Sequence, residues 1–172
     1  MKINSFDLTD KEDKIQIEKT NDHLDEVLKR IREISFNLMP TSLLRKGIVP
    51  AVREFVDYLN SNTGITFSLK ATKNIQLSEQ KSVNLYRIIQ EVVHNTIKHA
   101  HATKFALELK THKDIVVLSM ADNGIGFDKD NQSGNIGFGL KSLLRRTEIM
   151  NGKMFIDSTP GKGTSYGFEI PL

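Results

Sequence analysis

Residues 86–103 read YRIIQEVVHNTIKHAHAT, and the fold turns on how this stretch is wound. At 100° per residue, with Glu91 at zero, Leu85, Tyr86, Ile88, Ile89, Val92, Val93, Thr96, Ile97 and Ala100 fill roughly 60° to 240° of a helical wheel. That is a half-cylinder, wide enough to lie on a sheet. His94, Lys98, Glu91 and Asn95 fall between about 300° and 40°, a coherent polar stripe beside the apolar one. A solvated helix face is the plain alternative for such a stripe. Two features argue for more. Asn is a poor mid-helix residue, normally kept for caps, and the stripe borders the apolar face, where the edge of a pocket would lie. An amide oxygen beside a carboxylate is a hard-oxygen pair that suits Mg²⁺ carrying waters and phosphate oxygens. Lys98, one turn on, would neutralise a phosphate as a point charge.

On both sides of this helix the pattern changes period. Ahead of it, a helix over 48–60 places Val52, Phe55, Val56 and Leu59 on one side, NSNTG breaks the chain, and ITFSLKA alternates as a strand. Behind it, KFALELK and DIVVLSMAD read as strands, 140–150 as a helix with Gly152 as its stop, and KMFIDS and SYGFEIPL as two more strands joined by TPGKG. Adjacent strands without intervening helices predict an α+β fold, a two-layer sandwich of a mixed sheet with helices on one face. The first forty residues differ again. Leu24, Val27, Ile31, Ile34 and Leu38 follow steps of 3, 4, 3, 4, the seam of a coiled coil or helix bundle, and Pro40 ends that helix. We therefore expect a long bundle helix within residues 1–40 and one domain over 41–172.

Bulk properties bound the function. The chain has 172 residues, 38% hydrophobic and 26% charged, enough for one packed domain plus a helical appendage. A net charge of +3 is too mild for a nucleic-acid binder. The absence of cysteine excludes disulfides and thiolate zinc sites and fits a cytoplasmic chain. No apolar run approaches membrane-spanning length, and MKINSFDLTDKEDK lacks a signal-peptide core. No direct membrane contact is expected from this chain, although it would suit the cytoplasmic part of an anchored protein.

The loops carry further chemistry. ADNGIGFD, residues 121–128, follows a strand directly. A carboxylate at Asp122 is an acceptor-only group; it would accept from an amino group such as adenine N6 and repel the carbonyl of guanine. Gly124 and Gly126 permit close backbone approach. A D-N-G hairpin turn is the alternative, weakened by the long glycine-bearing loop that follows. GFGLKSLLRR places Gly137 and Gly139 at a helix start, where backbone N–H groups can face a phosphate. GKGT at 161–164 lacks the spacing of a Walker loop.

The order Asn-bearing helix, D-N-G-x-G-F, G-x-G-L, G-x-G-T closely resembles the ATP-binding domain of sensor histidine kinases, in the superfamily shared with gyrase, Hsp90 and MutL. IREISFNLMPTSLLRKGIVPAV resembles the end of the dimerisation bundle and linker in the class serving LuxR-type response regulators. The resemblance spans about residues 20–172. It implies a Bergerat-type fold, ATP and Mg²⁺ as cofactors, a receiver domain as partner, and a homodimer formed through the N-terminal helix. It further implies Asn95 as the Mg²⁺ ligand and Glu91 as the catalytic residue near the γ-phosphate. His94, Lys98 and His99 would sit by the phosphates. Asp122 would bind the adenine amino group in a pocket shaped by Gly124 and Gly126. Gly137 and Gly139 would hinge a lid, and Thr164 would support the adenine through water. One element departs from the pattern. No R-x-L-H-D acceptor stretch is present, and His23 in TNDHLDEV lies too close to NLMP to replace it. The expectation is a chain beginning after the acceptor helix, unable to autophosphorylate alone. An anti-sigma serine kinase type of nucleotide-gated module is the alternative, disfavoured by the heptad helix. Gyrase-type clamps would need a further transducer domain.

Overall fold

A computed structural model describes residues 15–24, 27, 41–128 and 138–172. The chain divides into two units, Met1–Leu38 and Met39–Leu172. In the first, residues 15–24 form a helix, α1, on which Ile15 and Leu24 are exposed; Val27 beyond it is exposed too. The remaining seam positions, Ile31, Ile34 and Leu38, lie outside the described residues.

The second unit contains α2 (Thr41–Lys46), α3 (Ile48–Asn62), β1 (Thr66–Ala71), α4 (Glu79–Asn95), a π-helical turn (Thr96–Ala100), β2 (Lys104–His112), β3 (Ile115–Asp122), α5 (Phe138–Ile149), β4 (Lys153–Ser158) and β5 (Thr164–Pro171). The five strands lie in the order β1-β2-β3-β5-β4. β1 and β2 run parallel, and every other neighbouring pair is antiparallel. The sheet is therefore mixed, as the strand order along the chain predicts. Period-2 alternation sends Phe67, Phe105, Leu107, Leu109, Val116, Leu118, Met120, Tyr166, Phe168 and Ile170 into the buried layer. The helices supply the other half of that core: Val52, Phe55 and Leu59 from α3, Leu85, Ile88, Ile89 and Val92 from α4, and Leu143 from α5.

Three of the helices are tied at one end by named groups. Ser78 caps α4, its hydroxyl accepting from the Lys81 N–H at 3.3 Å. Lys81 Nζ donates to the Pro171 carbonyl at 2.7 Å, fastening the start of α4 to the end of β5. Asn60 at the end of α3 accepts from Phe67 N at 2.8 Å and donates to Phe67 O at 3.0 Å. At the end of α5 the left-handed position belongs to Asn151 (φ 55°). Gly152, expected as the stop, follows it and donates to Thr147 O at 2.9 Å. Gly152 is needed there for space, since a Cβ would run into the Ile170 side chain and the Glu169 carbonyl.

The long helix departs from its predicted form. Regular α-helix stops at Asn95, and Thr96–Ala100 widen into a π turn that ends at His101 in the left-handed conformation (φ 50°). The wider turn shifts the phase of every residue after Asn95. Ile97, expected at the edge of the buried face, is 39% exposed.

Candidate functional site

A cavity of about 410 Å³ opens between α4, the π turn, the loop after β3, the start of α5 and β5, within the range of about 300–1,000 Å³ usual for ligand sites. Of the residues singled out above, Asn95, His99, Asp122, Gly126, Gly139 and Thr164 line it. Glu91, His94, Lys98 and Gly124 stand outside that lining. Gly137 lies outside the described residues. Position on the helix explains one part of this division: on the wheel His99 falls at about 80°, on the side of Asn95 and Thr96, whereas Lys98 falls at about 340°.

On the helix side, Asn95 Nδ2 donates to Glu91 Oε1 at 3.3 Å, one turn back. The pair fixes the amide, so that Oδ1, the only acceptor of that side chain, is not the atom spent on Glu91. Gly139 backs directly onto this pair. A Cβ added there would lie 2.9 Å from Glu91 Oε1 and 3.2 Å from Asn95 Nδ2. The start of α5 thus meets α4 at the two polar residues.

On the loop side, D-N-G is not a hairpin. The strand that pairs next with β3 is β5, which the chain reaches only after α5 and β4. Each of the three residues has a separate task. Asp122 Oδ1 accepts from Gly124 N at 2.8 Å, which orients the carboxylate and leaves Oδ2 for another donor. Asn123 clamps the strand start opposite: its Oδ1 accepts from Thr103 N and Lys104 N, both at 2.9 Å, and its Nδ2 donates to Thr103 Oγ1 at 2.9 Å. Gly124 packs against the π turn, where a Cβ would overlap the Ala100 carbonyl, and Ile125 N donates to that same carbonyl at 2.8 Å. Gly126 has φ 60° and presses on the Thr159 carbonyl, a position only glycine fills without strain.

Two residues of the site escaped the sequence reading. Ser158, buried at the end of β4, accepts from Phe127 N at 2.9 Å and meets the buried Thr164 hydroxyl at 2.9 Å. It therefore holds the loop and Thr164 together from behind the wall. Tyr166, 8% exposed, lines the cavity itself. Burial, then the nearby charges of Asp122 and Glu91, push its phenol up to about 12, so it stays a neutral donor at ordinary pH. Simple alternation along β4 and β5 makes Ser158 and Tyr166 look like filler; only the loop folded over them reveals their use.

The wall combines an acceptor carboxylate, an oriented amide and apolar surface from Ile125, Phe127 and Leu140. Residues 80–172 match the family described as histidine kinase-, DNA gyrase B- and HSP90-like ATPase. This chain belongs to that family. Membership of an ATPase family implies ATP binding. Among curated relatives, the sensor histidine kinase ComP of Bacillus subtilis (strain 168) is 31% identical over 88% of this chain and 20% of its own length. The signal transduction histidine-protein kinase/phosphatase DegS of the same organism is 32% identical over 77% of this chain and 36% of its own. The chain therefore spans well under half the length of either. The histidine kinase domain from the Erythrobacter litoralis EL346 blue-light activated histidine kinase superimposes with a TM-score of 0.59 at 15% identity, over 72% of this chain and 60% of that one, which establishes a shared fold. Among the described residues no helix is long and apolar enough to cross a membrane.

Proposed function

We propose that this chain is the ATP–Mg²⁺-binding catalytic part of a sensor histidine kinase, of the class that passes its phosphoryl group to a LuxR-type response regulator. The observation that carries the reading is the presence of two oriented groups in the wall of one cavity: Asp122, with one oxygen committed to Gly124 N, and Asn95, with its amide held by Glu91. Asp122 Oδ2 accepts the adenine amino group, Thr164 supports the base through water, and Gly124 and Gly126 shape that end. His99 from the wall, and His94 and Lys98 from the neighbouring helix surface, serve the phosphates. Gly137 and Gly139 let the start of α5 close over them.

The donor set fits a metal ion that keeps most of its own shell. Among the described residues no cluster of three or more His, Cys, Asp or Glu forms a protein cage, which matches Mg²⁺ bound by one protein oxygen together with waters and phosphate. Asn95 Oδ1 would hold it, and when bound it neutralises charge on the transferring phosphoryl group. Glu91 positions the attacking imidazole. The nitrogen lone pair forms the P–N bond as the bond from the γ-phosphorus to the bridging oxygen breaks and ADP leaves. The accepting histidine belongs to a bundle helix outside this chain, and the relay ends on a receiver-domain aspartate. Dimerisation through the N-terminal helix and a cytoplasmic location belong to the same reading.

Calorimetric titration tests it. The unaltered chain should bind ATP in preference to GTP, more tightly with Mg²⁺, and transfer label from γ-labelled ATP to an added acceptor helix. Failure to bind at millimolar ATP would reduce the chain to a dimerisation scaffold.

A further inference from the structure

Tyr166 is more than nine-tenths buried, yet no described residue forms a hydrogen bond with its hydroxyl. The hydroxyl is also not among the fully sealed, unsatisfied atoms, and the side chain lines the cavity. A phenol in the interior normally finds a partner, because an unpaired buried hydroxyl costs about 1–3 kcal/mol. This one belongs to a side chain in the wall of the cavity that Asp122 and Thr164 also line. Its place on β5 narrows which part of the ligand it meets. Thr164 is two residues earlier on the same face of the strand, and β5 pairs Tyr166 with Met120 of β3, two residues before Asp122. The phenol thus stands one step further into the sheet than the Asp122–Thr164 end of the cavity.

We propose that Tyr166 is a second base-reading residue, its hydroxyl donating to a ring nitrogen of adenine next to the amino group that Asp122 accepts. The inference rests on the adenine-binding reading above. Adenine carries such a nitrogen, N1 or N7, on either side of N6, so an acceptor carboxylate beside a donor hydroxyl matches two adjacent positions of the base. A base that Asp122 alone recognised would be fixed at one point; the second contact fixes its angle in the cavity.

The test uses the full chain with ATP, 1-deaza-ATP and 7-deaza-ATP, beside Tyr166→Phe. Exchange of a neutral hydrogen bond predicts ATP binding about 3- to 10-fold weaker in the variant. One of the two deaza analogues should lose the same factor on the unaltered chain and nothing further on Tyr166→Phe. Equal ATP affinity in the two proteins would overturn the proposal. So would an analogue penalty that persists undiminished in the variant, which would make Tyr166 a packing residue only. Because the analogue measurements also use the unaltered chain, a poorly folded variant would not protect the idea: no loss with either analogue there sinks it. Failure of the unaltered chain to bind ATP at all would instead bring down the adenine reading itself, and this inference with it.

Discussion

In the proposed function Asp122 and Gly139 serve the ligand through different physics, and their substitutions should separate accordingly. Asp122→Asn keeps shape and removes the charge, and the new amide can turn its donor toward Oδ2's former partner. ATP binding should fall about 10- to 100-fold, the range for loss of a charge-assisted hydrogen bond, with little change in the melting temperature; titration calorimetry and a thermal melt read the two quantities. Gly139→Ala places a methyl group 2.9 Å from Glu91 Oε1. It should disturb the Glu91–Asn95 pair, and so weaken the Mg²⁺-dependent part of ATP affinity while leaving metal-free binding nearly intact. Gly124→Ala is a stability change, since its Cβ meets backbone at Ala100 and cannot be accommodated by a side-chain rotation. A loss of about 1–3 kcal/mol is expected in urea unfolding. The tyrosines give a pH signature. Burial raises both Tyr86 and Tyr166 to about 12 from the ordinary 10. The folded state therefore holds these protons more tightly than the unfolded chain. Their contribution to stability is complete below pH 10 and is lost as pH rises toward 12. Melting temperature should fall over that window, and Tyr166→Phe should make the fall shallower.

At the scale of elements, α4 shows what a sequence can and cannot reveal. Its apolar half-cylinder was legible because burial on a sheet imposes the 3.6-residue period from Leu85 to Val93. The π turn was not, because the wheel assumes one period throughout and the widening depends on Ala100 meeting Gly124 and Ile125, residues more than twenty positions away. The candidate site divides along the same line. Asp122 and Asn95 stand out by type and place against their surroundings, and Thr164 enters only through the resemblance of its G-x-G-T stretch to the family's motif. Tyr166 and Ser158 do not stand out, since an aromatic and a serine in strands have ordinary reasons to be there. Strand order was equally hidden: alternation finds β5 as a strand, but nothing local says that it slots between β3 and β4.

At the scale of the whole molecule, the sheet and the cavity both lie within residues 39–172. A chain of those residues should fold on its own and bind ATP within about twofold of the full chain, while any dimer seen by light scattering should disappear with residues 1–38. A several-fold change in affinity would mean that the N-terminal unit takes part in the site. The strand order has one more consequence. The two outermost strands, β1 and β4, are six residues each, and each carries a lysine, Lys70 and Lys153. Short, charged margins are poor templates for adding another strand. Copies of this domain crowded together are thereby guarded against zipping edge to edge into aggregates.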